Sequence, residues 1–205
     1  MLASCWPPGV QAADAPATVT FDQALAADAS DLARGYLVIG SQMQVAEVAG
    51  LGVPVHTTVD GRPQTITKSN YQAFESAYEA REHVYSQAMT QRGSSQIAGD
   101  YDMTASDGCK SLGLKDGPAT ITQSGFRFQW VTGPYQGKIA LHGVVVESAV
   151  AAVSSIGADL DLRGKVSDRI IELRSVPPSA VKVGTDLTPG GSQHASSCAV
   201  TLKLK

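Results

Sequence analysis

Hydrophobic and polar residues alternate through the second half of the chain, as they do in β-strands with one buried face and one solvated face. In the last segment, Cys198, Val200, Leu202 and Leu204 occupy one set of alternate positions, and polar residues dominate the other set. The same period of two predicts eight strands between residues 97 and 205. They are 97–104, a strand beginning near Cys109, 118–123, 126–132, 138–148, 158–166, 170–176 and 197–205.

The first half of the chain has helical spacing instead. A stripe at intervals of three and four residues predicts a helix, or two helical pieces, within residues 22–50. The stripe consists of Leu32, Tyr36, Ile39, Met43 and Ala46. A buried strand over residues 36–40 is the alternative. A second helix is predicted from a cap at Ser69 or Asn70 to about residue 92, where Gly93 ends it.

Together these patterns predict an α+β protein with an N-terminal helical hairpin attached to an antiparallel β-barrel or closed sheet of eight strands. Closure is favoured because it leaves no exposed strand edge. Residues 53–67 connect the helices, and Asp60-Gly61 predicts a tight β-hairpin there. The predicted division is a leader over 1–18, the helical unit over 19–95 and the barrel over 96–205.

The leader has features of an export signal. Val10-Gln11-Ala12 places small side chains at the two positions that a signal peptidase reads, which predicts cleavage after Ala12. The alternative is lipidation, because Leu2-Ala3-Ser4-Cys5 resembles a bacterial lipobox in which Cys5 would carry a membrane anchor. A third reading is a disordered leader. We expect an exported protein, periplasmic or extracellular, and no transmembrane span, since no run of 18 apolar residues occurs.

The chain has three cysteines. If Cys5 is removed or lipidated, Cys109 and Cys198 remain as a pair, and an oxidising compartment favours a disulfide between them. Two buried free thiols are the alternative. The spacing does not fit a C-x-x-C redox or zinc motif.

Charge and motifs exclude several function classes. The net charge is −3 and the 16 Lys and Arg residues are scattered, so the basic stripe required for nucleic-acid binding is missing. No common catalytic motif occurs, and we predict no catalytic residues, no metal site and no cofactor. Glu79 and His83 lie one helical turn apart, but two ligands do not make a metal site.

The first predicted barrel strand opens with Ala98-Gly99-Asp100-Tyr101. This resembles the Gly-x-Trp start of the calycin barrels, the group of lipocalins, avidins and bacterial protease inhibitors, with Tyr101 in place of the tryptophan. The resemblance covers residues 97–205. It implies a barrel that holds a small apolar ligand or blocks another protein.

Candidate ligand-binding residues are the aromatic side chains of the barrel face, Tyr101, Phe126, Phe128 and Trp130. They fill the core of a small barrel or line the cavity of a hollow one. We therefore expect a non-enzymatic exported binding module for a small hydrophobic molecule or a partner protein. The alternative is an inhibitor or structural envelope protein that acts through its surface, with an apolar patch on the helical hairpin, the 51–67 segment or the 177–196 loop. A hydrolase without a recognisable motif ranks third.

Overall fold

A computed structural model of the protein describes residues 16–60, 62–132, 139–154, 160–175 and 198–205. The helices are α1 (Phe21–Ala26), α2 (Ala29–Gly50), α3 (Tyr71–Arg92) and α4 (Asp107–Ser111). A two-stranded hairpin consists of β1 (Val55–Val59) and β2 (Arg62–Ile66). The remaining strands are β3 (Gly99–Ala105), β4 (Gly117–Ser124), β5 (Arg127–Thr132), β6 (Ile139–Val146), β7 (Ala149–Ser154), β8 (Asp161–Ser167), β9 (Ile170–Ser175) and β10 (Ala199–Leu204).

The strands β3 to β10 form a closed antiparallel barrel of eight strands, in which each strand pairs with its neighbours along the chain. Pairing of β10 with β3, in the register Leu202↔Met103, closes the barrel. This confirms the predicted α+β class and the eight-stranded barrel. Alternate residues of the strands are buried in one continuous interior cluster, as the period of two predicts. Its larger members include Met103, Ile121, Trp130, Leu141, Leu162, Ile171 and Leu202.

One predicted strand is wrong and one observed strand was not predicted, so the predicted number of eight is still right. The segment at Cys109 is the short helix α4, with Ser106 at the N-cap position and Asp107 in the first turn, where a negative charge favours the start of a helix. The missing eighth strand is β7. Its Val150 and Ala151 are both buried, so it has no polar face and no alternation of polar and apolar residues.

The helices and the small hairpin follow the sequence pattern. Residues 36–40 are helical, so the alternative strand is wrong. A capping interaction separates α1 from α2, because the Asp28 side chain accepts hydrogen bonds from the backbone of Ser30 and Asp31. Asn70 occupies the N-cap position of α3 without a side-chain hydrogen bond to the helix, and Gly93 follows the helix with a φ of 77°. These features confirm the predicted helical pieces and the β-hairpin between them.

The helix α2 runs antiparallel to α3 and covers one side of the barrel. Tyr71 lies against Gly50, and Tyr85 lies against Gly35 at the other end of the helix pair. On the barrel, Val144 and Val146 of β6 and Ala151 of β7 point outward into a cluster with the helices. Residues 144–146 of β6 and 150–152 of β7 are therefore buried on both faces. The division into units 19–95 and 96–205 stays a prediction.

The two barrel cysteines lie at the closing seam. Cys109 follows β3 and Cys198 precedes β10, and the two residues are bonded with their Cα atoms 4.4 Å apart. Such a pair is compatible with an exported protein. The cleavage site after Ala12, the lipidation site at Cys5 and the 177–196 loop lie outside the described residues. In the part of the chain that is described, no helix is long and apolar enough to cross a membrane.

Candidate functional site

An open groove of about 850 Å³ lies on the outside of the barrel, between α2 and the outer face of β4, β5 and β6. One residue of α3, Glu82, closes its side. The groove has side chains of both kinds, apolar ones mainly from α2 and polar ones mainly from the strands. The residues that line it from the helices are Tyr36, Leu37, Gly40, Met43, Gln44, Glu47 and Glu82.

The floor of the groove follows from strand alternation. Residues whose neighbours fill the barrel interior must themselves point outward. Pairing aligns Arg127 with Ser124 on one side and with Val144 on the other. The next row places Gln129 between Thr122 and His142. The floor is therefore two rows of cross-strand neighbours, mostly polar.

The wall of the groove is one face of α2. Its lining positions recur at intervals of three and four residues from Tyr36 to Glu47, which spans about 16 Å along a helix. Gly40 lies in the middle of this face. A Cβ atom at Gly40 would meet no other atom within 4 Å. Space for a bound molecule is thus available beside the centre of α2.

One end of the groove is organised around Arg127. Its Nη2 donates to Glu82 Oε1 at 3.2 Å and contacts the hydroxyl of Tyr36. The Tyr36 hydroxyl donates to the same Glu82 oxygen at 2.8 Å. The guanidinium carbon lies 5.3 Å from the ring centre of Tyr36 and 5.7 Å from that of Phe126. A cation above two aromatic rings is held by their quadrupoles as well as by the carboxylate.

The other titratable group of the floor is His142, which lies between Gln129 and β7. Desolvation by partial burial lowers the pKa of its imidazole. The uncharged form of the side chain therefore predominates at pH 7.

The structure separates the four predicted aromatic candidates. Tyr101, Phe128 and Trp130 are buried in the barrel core, where the Tyr101 hydroxyl donates to the carbonyl of Ile97 at 2.7 Å. Phe126 lies outside and packs edge-on against Tyr36, with 5.4 Å between ring centres. A shared inward face is therefore wrong for Phe126. The turn at Gly125, with a φ of 59°, interrupts the alternation before β5.

The groove residues Tyr36, Glu82 and Arg127 were not predicted as site residues. Each occupies an ordinary position in its own helix or strand, and nothing in the local sequence pattern marks it as part of a site. Only the packing of α3 on α2, and of α2 on β6 and β7 beside β5, brings them together. Phe128 is the one predicted candidate that also lines the groove, through the edge of its buried ring beside Gly143.

The described residues contain no group of three or more His, Cys, Asp and Glu side chains that could hold a metal ion. No protein-family model, no curated protein and no solved structure matches the chain. The likeness to calycin barrels is therefore limited to the closed antiparallel barrel of eight strands.

Proposed function

We propose that the protein is a non-enzymatic, exported binding protein that holds a small amphipathic molecule in the groove outside its barrel. The observation that carries this proposal is the groove of about 850 Å³ between α2 and strands β4 to β6. Pockets that hold small molecules commonly measure about 300–1,000 Å³, so the groove has the required size.

The chemistry of the groove suits an amphipathic ligand. Leu37 and Met43 give an apolar wall, while Gln129 and His142 give hydrogen-bonding groups on the floor. An apolar surface supplies binding energy, and a few placed polar groups fix the orientation of the ligand.

The barrel interior is a weaker candidate for the binding site. Its described part is filled by buried side chains, including Trp130, Leu141 and Leu162, which are each 0% exposed. Small closed barrels of eight strands commonly have an interior just wide enough for their own side chains. A ligand would have to displace this core, whereas the outer groove is already open.

The proposal is tested with two substitutions at one site. Gly40→Trp places an indole in the groove, and Gly40→Ala adds only a methyl group to the same open position. Both remove a glycine from a helix and are expected to keep or raise stability. Native mass spectrometry of protein purified from its own host should show a retained small molecule on the wild type and on Gly40→Ala. Retention of the same molecule by Gly40→Trp would refute the groove as its site.

A surface-acting protein is the second candidate function. Val48, Leu51 and Val53 are 43%, 84% and 57% exposed at the end of α2 and in the segment after it. Exposed apolar side chains close together are typical of contact sites for other proteins. A photo-crosslinking residue at position 51 should give one discrete adduct in the native envelope. The same residue at Gln91, exposed on α3, is the control, and equal labelling from both positions would rule against this function.

A further inference from the structure

We infer that the groove ligand is an amphipathic anion whose acidic group, a carboxylate or a similar oxyanion, is bound by Arg127. This inference rests on the proposed function, because it names the ligand class of the same groove. Its basis is the combination of an anchored guanidinium, unused donors on that guanidinium and an apolar surface next to it.

Arg127 is held in place before any ligand arrives. Its hydrogen bonds to Glu82 and Tyr36 both come from Nη2, and its guanidinium carbon lies 5.3 Å from the ring centre of Tyr36 and 5.7 Å from that of Phe126. An arginine fixed in this way loses little side-chain entropy when it binds an anion.

The same arginine keeps donors for a ligand. A guanidinium has five N–H groups. Among the described residues, neither Nε nor Nη1 of Arg127 donates to a protein acceptor. The side chain is 60% exposed, against 35% for Glu82. A carboxylate can therefore approach the exposed edge of the Arg127 guanidinium and accept paired hydrogen bonds from it.

The charges along the groove favour this end for an anion. Arg127 is the only Lys or Arg among the described lining residues, and His142 is neutral at pH 7. Glu47 lies at the other end of the α2 face, about 16 Å from Tyr36 along the helix axis. Glu82 accepts hydrogen bonds from Tyr36 and Arg127 through the same oxygen, Oε1.

An apolar surface begins beside the guanidinium. Val144 pairs with Arg127 across the strands, and Leu37 follows Tyr36 on the helix wall. Met43 lines the same wall further along α2. A molecule with its acidic group at Arg127 would therefore lay an apolar body along these residues towards the middle of the groove.

Two probes with the same aromatic skeleton test the inference. 8-Anilinonaphthalene-1-sulfonate carries an anionic group, and N-phenyl-1-naphthylamine lacks it; both fluoresce when bound to apolar surfaces. Arg127→Gln should weaken the sulfonate probe about tenfold or more while changing the neutral probe less than twofold, since a hydrogen bond to a charged group contributes about 1.5–3 kcal/mol. Arg127→Lys should give an intermediate loss of affinity for the sulfonate probe, because lysine keeps the positive charge but cannot form the paired hydrogen bonds of a guanidinium. Arg174→Gln, at an exposed position on β9, is the matched control.

Glu82→Gln separates ligand recognition from a structural role. It removes the negative charge beside Arg127 and keeps a hydrogen-bond acceptor there. If Arg127 binds the acidic group, the sulfonate probe should bind about threefold or more tightly and the neutral probe should be unchanged. If Arg127 only fastens α3 to the barrel, both probes should weaken together, and that result overturns the inference. Circular dichroism spectra of each variant check the fold.

Failure of this inference can be told apart from failure of the proposed function. If Gly40→Trp blocks both probes but Arg127→Gln leaves their affinity ratio unchanged, the groove binds ligands and the anion preference is wrong. If neither probe binds the wild type, or if Gly40→Trp changes neither affinity, the groove itself is wrong as the binding site.

Discussion

A methyl group on Gly164 of β8 would collide with the backbone carbonyl oxygen of Glu172 on the adjacent strand β9. Because backbone atoms cannot rotate away, the strands must separate to admit it. Gly164→Ala should therefore lower the free energy of unfolding by about 1–3 kcal/mol. Gly40→Ala should raise it by up to about 1 kcal/mol, because Gly40 is helical and its Cβ position is open. Urea denaturation of both variants measures the difference.

The identical substitution at the two sites makes each variant the control for the other. Equal effects of Gly164→Ala and Gly40→Ala would show that helix and strand propensity, rather than the close approach of β8 to β9, determines the stability change.

The disulfide joins the first and last strands of the barrel, with 89 residues of separation between Cys109 and Cys198. In the chain-entropy model a loop of this length contributes roughly 4–5 kcal/mol, and removal of a native disulfide commonly costs 2–5 kcal/mol. The double variant Cys109→Ser, Cys198→Ser should unfold at a lower denaturant concentration, with a free energy of unfolding lower by about 2–5 kcal/mol. Reductant should lower the stability of the wild type and leave the double variant unchanged. If reductant also lowered the stability of the double variant, that result would contradict the pairing of Cys109 with Cys198.

Tyr78 is 0% exposed, and its hydroxyl has no hydrogen-bond partner among the described residues. Burial raises its pKa to about 12. The folded state therefore favours the protonated phenol, so this contribution to stability is complete below the unfolded pKa of about 10 and is lost as the pH rises from 10 towards 12. Tyr78→Phe should flatten the loss of stability over that pH range.

At pH 7 the same substitution removes a buried polar group that is not satisfied. Tyr78→Phe should therefore leave stability unchanged or raise it by about 1 kcal/mol. Tyr36→Phe is the opposite case, since it removes the 2.8 Å hydrogen bond to Glu82 and should cost about 1 kcal/mol. Thermal denaturation followed by circular dichroism distinguishes them, and a large loss in Tyr78→Phe would argue for a hidden partner of its hydroxyl.

Asp161 lies between two arginines where α2 meets the barrel. Arg34 Nε donates to its Oδ2 at 3.2 Å, and Arg163 Nε lies 4.0 Å from its Oδ1. The Arg34 side chain is only 10% exposed, so Asp161→Asn leaves a nearly buried cation without a counter-charge. We expect a loss of about 1–3 kcal/mol in the free energy of unfolding.

The surface pair Lys110–Asp116 provides the control for Asp161, since both of its side chains are about half exposed. Asp116→Asn should change stability much less than Asp161→Asn does, because solvent screens an exposed ion pair. The attachment of α2 by Asp161 would be disproved if the two variants were equally stable.

Sequence reasoning recovered the fold where one face of each element meets water. The strand β10 shows this, because Val200 and Leu202 are buried while Lys203, the next residue of the same strand, is exposed. The strand β7 shows the limit. Its outer face lies under α2, so Ala149-Val150-Ala151-Ala152-Val153 contains no polar residue from which a period could be read.

The groove could not be predicted for a related reason. Its organising contacts join Tyr36, Glu82 and Arg127, which come from three elements far apart in sequence. Local periodicity assigns each residue to a face of its own element, but it does not state which helix covers which strand. Alternation places the aromatic candidates on a barrel face but does not say whether that face fills a core or lines a cavity, and Phe128 and Trp130 are core.

Because α2 covers β6 and β7, these strands should open less readily than the uncovered strands of the barrel. On the opposite side, Asp102 of β3, Glu172 of β9 and Lys203 of β10 are exposed, and the long helices α2 and α3 pack elsewhere. Local opening there exposes little apolar surface beyond the barrel core. Opening of β6 or β7 must also separate the helices from the barrel, which exposes the apolar cluster between them. Amide hydrogens of Val144 and Ala151 should thus exchange with deuterium more slowly than those of the uncovered strands. The groove lies between the strands that α2 covers and those that it leaves uncovered, and α2 itself forms one of its walls.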